Sequence, residues 1–207
     1  MSEEKLVPKL RFSGFDDEWH CKNIKDIGKI ISGGTPKTTV EEYWNGEINW
    51  FTPSELNNQK YLYESERKIT QKGLNNSSAK LLPINSILIS SRATVGEVAM
   101  NKTESTTNQD FETIIPNKEM YNDFIYYSII HLKNELLKMS YGSTFLSITK
   151  TDLGKIKLNY PQFNEQKKIS DFLNQIDNKI QLLKEKHENY QNFKKYLMQQ
   201  IFAQKLR

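Results

Sequence analysis

Residues 165–203 read EQKKISDFLNQIDNKIQLLKEKHENYQNFKKYLMQQIFA, with neither Gly nor Pro among them. A 4,3,4,3 spacing runs through Ile169, Leu173, Ile176, Ile180, Leu183, His187, Tyr190, Lys194, Leu197 and Ile201. Eight of these ten positions are apolar, which is the seam of a coiled coil held for more than four heptads. Asn164 reads as the N-cap, with Glu165 an acid in the first turn. At 1.5 Å per residue the segment would form a rod roughly 58 Å long. The preceding part of the chain, folded, has a radius of only ~17 Å, so the seam calls for another long helix. His187 and Lys194 then set register or touch a partner.

Upstream the texture changes. Residues 1–8 read as a loose leader, and Trp19, Ile24, Ile27, Ile30 and Ile31 mark buried points. Gly33-Gly34-Thr35-Pro36 breaks any regular element, since Gly admits positive φ and Pro restricts its predecessor. Asn45-Gly46, inside Tyr43–Trp50, suggests a hairpin. Ile84–Ile89 and Val95–Met100 read as short strands. Phe124, Ile125, Ile129, Leu132, Leu136 and Met139 give one helix over Tyr121–Met139, with Gly142 placed to end it. Ile156, Leu158 and Tyr160 alternate as a strand that Pro161 stops. The expected fold class is α+β: a compact domain of short strands and helices over 1–163, then a long coiled-coil helix over 164–207.

With 207 residues, ten Phe, ten Tyr and three Trp, the chain has aromatic mass enough for a packed core. Trp19, Trp44 and Trp50 read as part of that core. No apolar run approaches the ~18 residues of a membrane span, and one cysteine, Cys21, cannot form an internal disulfide. Both point to the cytoplasm. From Glu165 onward there are nine Lys and Arg against five Asp and Glu. Taking these from the totals of 29 and 25 leaves 20 of each in residues 1–164. The net charge of +4 therefore belongs to the tail, and nucleic-acid binding by the domain would need a local basic patch. His20, His131 and His187 have no metal spacing, and P-loop, dinucleotide and nucleophile-elbow motifs are absent. No catalytic or metal site is expected, and no cofactor in this chain.

A series of motifs in order carries a resemblance. Lys9–Phe15 precedes Trp19; Ile30-Ile31-Ser32-Gly33-Gly34-Thr35-Pro36 precedes Tyr43-Trp44-Asn45-Gly46-Glu47-Ile48-Asn49-Trp50. Gly73-Leu74, Ser90–Gly96 and Asn108-Gln109 follow, and Glu165-Gln166-x-x-Ile169-x-x-Phe172-Leu173-x-x-Ile176-Asp177 closes the series. Taken together they resemble the specificity subunit of type I restriction–modification systems. The resemblance implies that a target-recognition domain reads half of a split sequence in double-stranded DNA. It also implies that the long helix packs antiparallel on a counterpart. Two modification subunits, which carry S-adenosylmethionine and the adenine-N6 chemistry, would dock on this scaffold, and restriction subunits would join them. A typical member has two such domains and two helices, whereas one of each stands here. Lys205-Leu206-Arg207 echoes Lys9-Leu10-Arg11, so either this is half of a two-repeat subunit or it is a half-subunit that self-associates. A coiled-coil protein-interaction adaptor is the alternative reading.

DNA contact calls for side chains that reach base edges or phosphates. They concentrate in the loops Ser32–Thr39, Thr52–Asn58, Asn75–Lys80, Ser90–Thr94 and Tyr141–Thr144. The candidate contacts are Thr35, Lys37, Thr52, Ser54, Ser91, Arg92, Thr94, Asn108, Gln109, Tyr141, Ser143 and Thr144. Arg92 either contacts DNA with its fork or pairs with an acid to buttress the fold; its recurrence in the family pattern points to phosphate or structure. Asn108-Gln109 either reads adenine or satisfies buried backbone. On the helix, Ile169, Leu173, Ile176, Ile180, Leu183, Tyr190, Leu197 and Ile201 would pair with the partner helix. Phe172, Phe193, Tyr196 and Phe202 would form a strip for a modification subunit, or else widen the same seam.

Overall fold

The computed structural model describes residues 6–142 and 145–203. The chain divides into two units that meet between Lys167 and Lys168. In the first lie β1 (His20–Asn23), α1 (Ile24–Ile27), β2 (Gly28–Ser32), β3 (Trp44–Phe51), β4 (Tyr61–Leu62), β5 (Lys68–Ile69) and α2 (Gln71–Asn75). They are followed by β6 (Ile87–Ser90), β7 (Val98–Asn101), β8 (Ser105–Thr107), β9 (Phe111–Pro116), α3 (Asn122–His131), α4 (Lys133–Lys138), α5 (Lys150–Lys155) and β10 (Lys157–Tyr160). The helix α6 (Phe163–Phe202) starts in the first unit and makes up the described part of the second. The α+β class with a long C-terminal helix is thus observed.

The strands of the first unit form three sheets among the described residues. The largest has the order β2-β9-β6-β7-β4; the second is β5-β3-β8, and β1 pairs with β10. Every residue of β6 is buried, as an apolar strand flanked on both edges by β9 and β7 requires. Phe51, Leu56, Leu62, Leu88, Ala99 and Phe111 form one core cluster. Trp44, Trp50, Ile69 and Ala79 form another, in which the two indoles meet edge to face at 5.1 Å. Arg67 lies 3.8 Å over the Trp44 ring. Trp44 and Trp50 are buried, and are core rather than surface platforms.

Several elements differ from the sequence reading, each for a local reason. Asn45-Gly46 makes a bulge inside a continuous β3 and not a hairpin: Trp44 and Ile48 both pair with Ile69, and Asn45 takes a φ of 60°. The strands expected at Ile84 and Val95 begin at Ile87 and Val98 because Asn85 (φ 65°) and Gly96 (φ 83°) turn the chain first. The single helix expected over Tyr121–Met139 breaks at Leu132, whose φ of −81° and ψ of 7° leave the helical region. Gly142 (φ 120°) lies beyond Met139, the C-cap of the second piece, and does not cap it. Helix α6 opens at Phe163, so Asn164 lies inside the first turn and is not the N-cap. There the Gln162 carbonyl accepts from the Glu165 and Gln166 amides at 3.0 and 3.1 Å.

Gly33 and Gly34 are needed for close approach, since neither has positive φ. A Cβ on Gly33 would stand 1.8 Å from the Asn108 carbonyl oxygen, and one on Gly34 would stand 2.3 Å from Ser78 Oγ. Two backbone bonds fix this crossing: Gly33 N–H donates to the Phe111 carbonyl at 3.1 Å and Gly34 N–H to that of Thr107 at 2.8 Å. The loop Asn75–Lys80, expected as a contact loop, thus gives Ser78 and Ala79 to packing against Gly34.

Candidate nucleic-acid interface

Three segments far apart in sequence converge on one groove of about 650 Å³. The first follows β3. Thr52 N–H and Oγ1 donate to Glu55 Oε2 at 2.6 and 2.8 Å, and Glu66 N–H donates to Oε1 at 2.8 Å. Glu55 thereby closes the turn Pro53–Glu55 and leaves Ser54 on the groove. Asn57 and Asn58 come next, both left-handed with φ of 42° and 56°, and both line the groove. Short polar side chains tolerate that conformation.

Lys60 anchors the far end of this loop. Its Nζ lies 2.6 Å from Asp123 Oδ1 and 4.3, 4.9 and 5.2 Å from the ring centroids of Tyr127, Tyr126 and Tyr61. The Tyr61 hydroxyl donates to the same carboxylate at 3.1 Å. Burial first, then the Asp123 charge, pushes the Tyr61 phenol well above its ordinary range. The loop is tied to α3 by a caged cation.

The second segment is the turn after β6. Ser90 N–H donates to the Glu97 carbonyl at 2.8 Å. The Ser90 and Thr94 hydroxyls share a bond of 2.8 Å, and Ala93 takes a φ of 61°. Arg92 and Thr94 emerge on the groove, Arg92 with 57% of its side chain exposed. The third segment is stitched alongside: Ala93 N–H donates to the Leu146 carbonyl and Ile148 N–H to that of Ser91, each at 2.9 Å. Tyr141 and Ser147 exchange two backbone bonds, and Phe145, 65% exposed, reaches the groove.

A chain of polar contacts joins the groove to the Gly-Thr-Pro loop. Thr35 Oγ1 donates to Gln109 Oε1. Gln109 Nε2 and Asn108 Nδ2 approach Asp110 Oδ2 at 3.5 and 3.1 Å, while Asp110 N–H donates to Asn108 Oδ1 at 3.0 Å. The second oxygen, Asp110 Oδ1, is buried without a hydrogen bond and stands 3.4 Å from Arg92 Nη1.

Of the twelve residues expected at DNA, Ser54, Arg92 and Thr94 meet on this groove. Thr35 and Gln109 stand behind it through Asp110, and Lys37 and Tyr141 are exposed. Three fall short of the expectation. Ser91 is 4% and Asn108 7% exposed, because the backbone pairing of the turn and the grip on Asp110 draw them inward; Thr52 spends its hydroxyl on Glu55. Ser143 and Thr144 lie outside the described residues. Asn57, Asn58, Asp110 and Phe145 were missed as site residues. Asn57 and Asn58 did fall within the expected contact loop Thr52–Asn58, though neither was among the twelve named residues.

The second unit is helix throughout residues 168–202. Its seam side chains Ile176, Ile180, Leu183, Tyr190, Leu197 and Ile201 are exposed. The four aromatics do not form one strip. Nine residues make about two and a half turns, so Phe202 lies opposite Phe193, while Phe172 stands about five turns from Tyr190 on the same line. Phe193 and Tyr196 share their face with Leu182, and all three are exposed.

Residues 16–191 match the family model described as the type I restriction modification DNA specificity domain. The chain belongs to that family. The MjaIX specificity subunit of Methanocaldococcus jannaschii is 40% identical to this specificity domain over 175 residues, 83% of this chain and 40% of that protein. The EcoR124I/EcoR124II specificity subunit of Escherichia coli is 33% identical over 175 residues, 81% of this chain and 43% of that protein. The specificity domain thus spans about two fifths of the length of these curated relatives. A chain from a structure concerned with assembly and conformational transition of the type I R-M system superposes with a TM-score of 0.71. It is 24% identical, over 91% of this chain and 46% of that one. The HsdS subunit of Thermoanaerobacter tengcongensis superposes with a TM-score of 0.64 at 21% identity, over 86% and 41%. These two share the fold. The adaptor alternative draws no support from any of these matches. Among the described residues no cluster of His, Cys, Asp and Glu could hold a metal ion, and no helix is long and apolar enough to cross a membrane.

Proposed function

We propose that the chain reads one half of a bipartite DNA target for a type I restriction–modification complex, in the cytoplasm and without catalysis of its own. Residues 1–163 act as the recognition domain and 164–207 as spacer and scaffold. The observation that carries this is the convergence of three loops, in a chain of the specificity-domain family, on a groove bearing Arg92, Ser54, Thr94, Asn57, Asn58 and Phe145. Donors and acceptors with an exposed aromatic are what base-edge contact requires, and Lys37, Thr35 and Tyr141 supply positioning contacts around it.

The exposed seam supports antiparallel pairing, either with a second copy or with the second half of a two-repeat subunit. Two modification subunits holding S-adenosylmethionine then bind the helices, and restriction subunits follow. Co-expression with the modification subunit in a host lacking adenine methylation tests the reading. N6-methyladenine at a bipartite motif is the expected result, palindromic when two identical copies form the unit. Firm association of the proteins with no motif methylated would overturn recognition by this chain alone, and absence of association would overturn the family role.

A further inference from the structure

The groove carries an electrostatic oddity for a DNA site. Among its lining residues Arg92 is the one cation, alongside two acids, Asp110 at 3.4 Å and Glu97. A phosphate wants donors and positive charge alone, and two acids beside a single arginine make a poor seat for it, which speaks against the phosphate contact expected from the family pattern. A G·C pair is different: in the major groove it presents the guanine N7 and O6 acceptors beside the cytosine N4 donor. An exposed arginine fork complements the two guanine acceptors on that edge.

The fork is also held. Asp110 is oriented by Asn108 through two hydrogen bonds, 3.0 Å to its N–H and 3.1 Å to Oδ2. Its Oδ1, buried and lacking a hydrogen bond, is left toward Arg92 at 3.4 Å. That pairing uses Nη1, and among the described residues nothing else engages the guanidinium, so donors remain open on an exposed side chain. An arginine restrained before binding loses less freedom on binding than one swinging free.

We propose, resting on the DNA-recognition reading above, that this groove reads one G·C pair of the half-site, with Arg92 bonding guanine O6 and N7 and Asp110 positioning it. The Asn108-Gln109 pair serves recognition at second hand, by fixing the carboxylate.

The test compares wild type, Arg92→Lys and Asp110→Asn, each co-expressed with the modification subunits, by genome-wide mapping of N6-methyladenine. Lysine keeps the charge a phosphate needs and loses the planar fork. The expected result is that Arg92→Lys relaxes one G·C position of the motif, where preference falls by about 5- to 150-fold, the discrimination one bidentate pair supplies. Asp110→Asn should relax the same position to a smaller degree, with thermal melting of the purified complex confirming a folded domain. Methylation reduced evenly over all sites, or a motif unchanged by Arg92→Lys, would overturn the inference while leaving DNA recognition standing. A wild type that methylates no motif would overturn recognition itself and this inference with it.

Discussion

Arg11 and Glu165 lie 154 residues apart and meet as a two-pronged pair: Nε donates to Oε1 at 2.8 Å and Nη2 to Oε2 at 2.7 Å. The Glu165 side chain is only 2% exposed. Its hydrogen bond, foremost, holds the Arg11 guanidinium above its ordinary pKa, and Nη2 also reaches the Asp17 carbonyl at 2.6 Å. The neighbouring Gln166 is equally committed. It accepts from Tyr121 N–H at 2.8 Å and donates to the carbonyls of Pro161 and Glu119 at 2.9 and 3.2 Å. The Glu-Gln pair that opens the closing motif is therefore a fastening of the first unit.

Arg11→Lys should lower the melting temperature, because an ammonium cannot engage both carboxylate oxygens. Glu165→Gln should lower it further, since it leaves the arginine without its counter-charge. Calorimetry of the two variants checks the order, and equal melting of Arg11→Lys and wild type would speak against the pair as a fastening.

Gly33→Ala should destabilise the domain by about 1–3 kcal/mol, the usual cost of overpacking, because the new methyl overlaps backbone at Asn108. The push falls on the residue that orients Asp110. Urea unfolding measures the first effect, and loss of motif selectivity in the methylation map measures the second.

Glu112 sits in β9 opposite Ser32, which donates to its two oxygens at 3.0 and 2.8 Å. Burial raises its pKa above the ordinary 4.5, with Ser32, the Lys150 charge and the Lys150 backbone opposing. The folded state thus holds this proton more tightly than the unfolded chain. The associated stability is fully present below pH 4.5 and is lost as pH rises through the folded pKa. Glu112→Gln removes the titration, so its stability relative to wild type should grow from pH 4 to pH 7. Melting curves across that range test the sign, and a pH-independent difference would be inconsistent with it.

On the self-association proposed above, Ile180→Glu combined with Leu183→Glu should abolish it and leave a monomer at micromolar concentration, as read by sedimentation velocity. Tyr196→Ser with Leu182→Ser should instead weaken modification-subunit binding and leave self-association intact, since these two lie off the seam, whereas Phe193 flanks it beside Tyr190 and Leu197. Loss of both properties together would mean one broad seam.

What was legible in the sequence follows the range of the forces involved. The long helix shows in its heptads because each seam residue is set by neighbours three and four positions away. Strand β6 shows as an apolar run, and Trp44 and Trp50 show as core. The bulge at Asn45 did not, since the same dipeptide serves a hairpin or a bulge and the choice is made by Ile69 across the sheet. The break at Leu132 was hidden because apolar spacing continues through it. At the candidate site Arg92 was found, with its acid partner unnamed. Asp110 becomes visible only when β9 is laid beside β6, and Phe145 only when its loop is stitched to Ala93. Asn108, read as a base or backbone contact, satisfies the Asp110 backbone N–H and also holds that residue's carboxylate.

The pairing of β1 with β10 joins His20–Asn23 to Lys157–Tyr160, some 137 residues along the chain. At a synthesis rate of about 5–20 residues per second, a ribosome would need roughly 7–28 s to travel between the two strands. Through that interval β1 lacks its partner and Arg11 has no Glu165. The fold can close only after nearly all of its length has been made, so a nascent chain cut short before Tyr160 would emerge with an open edge, and would be a substrate for chaperones and proteases rather than a smaller working domain.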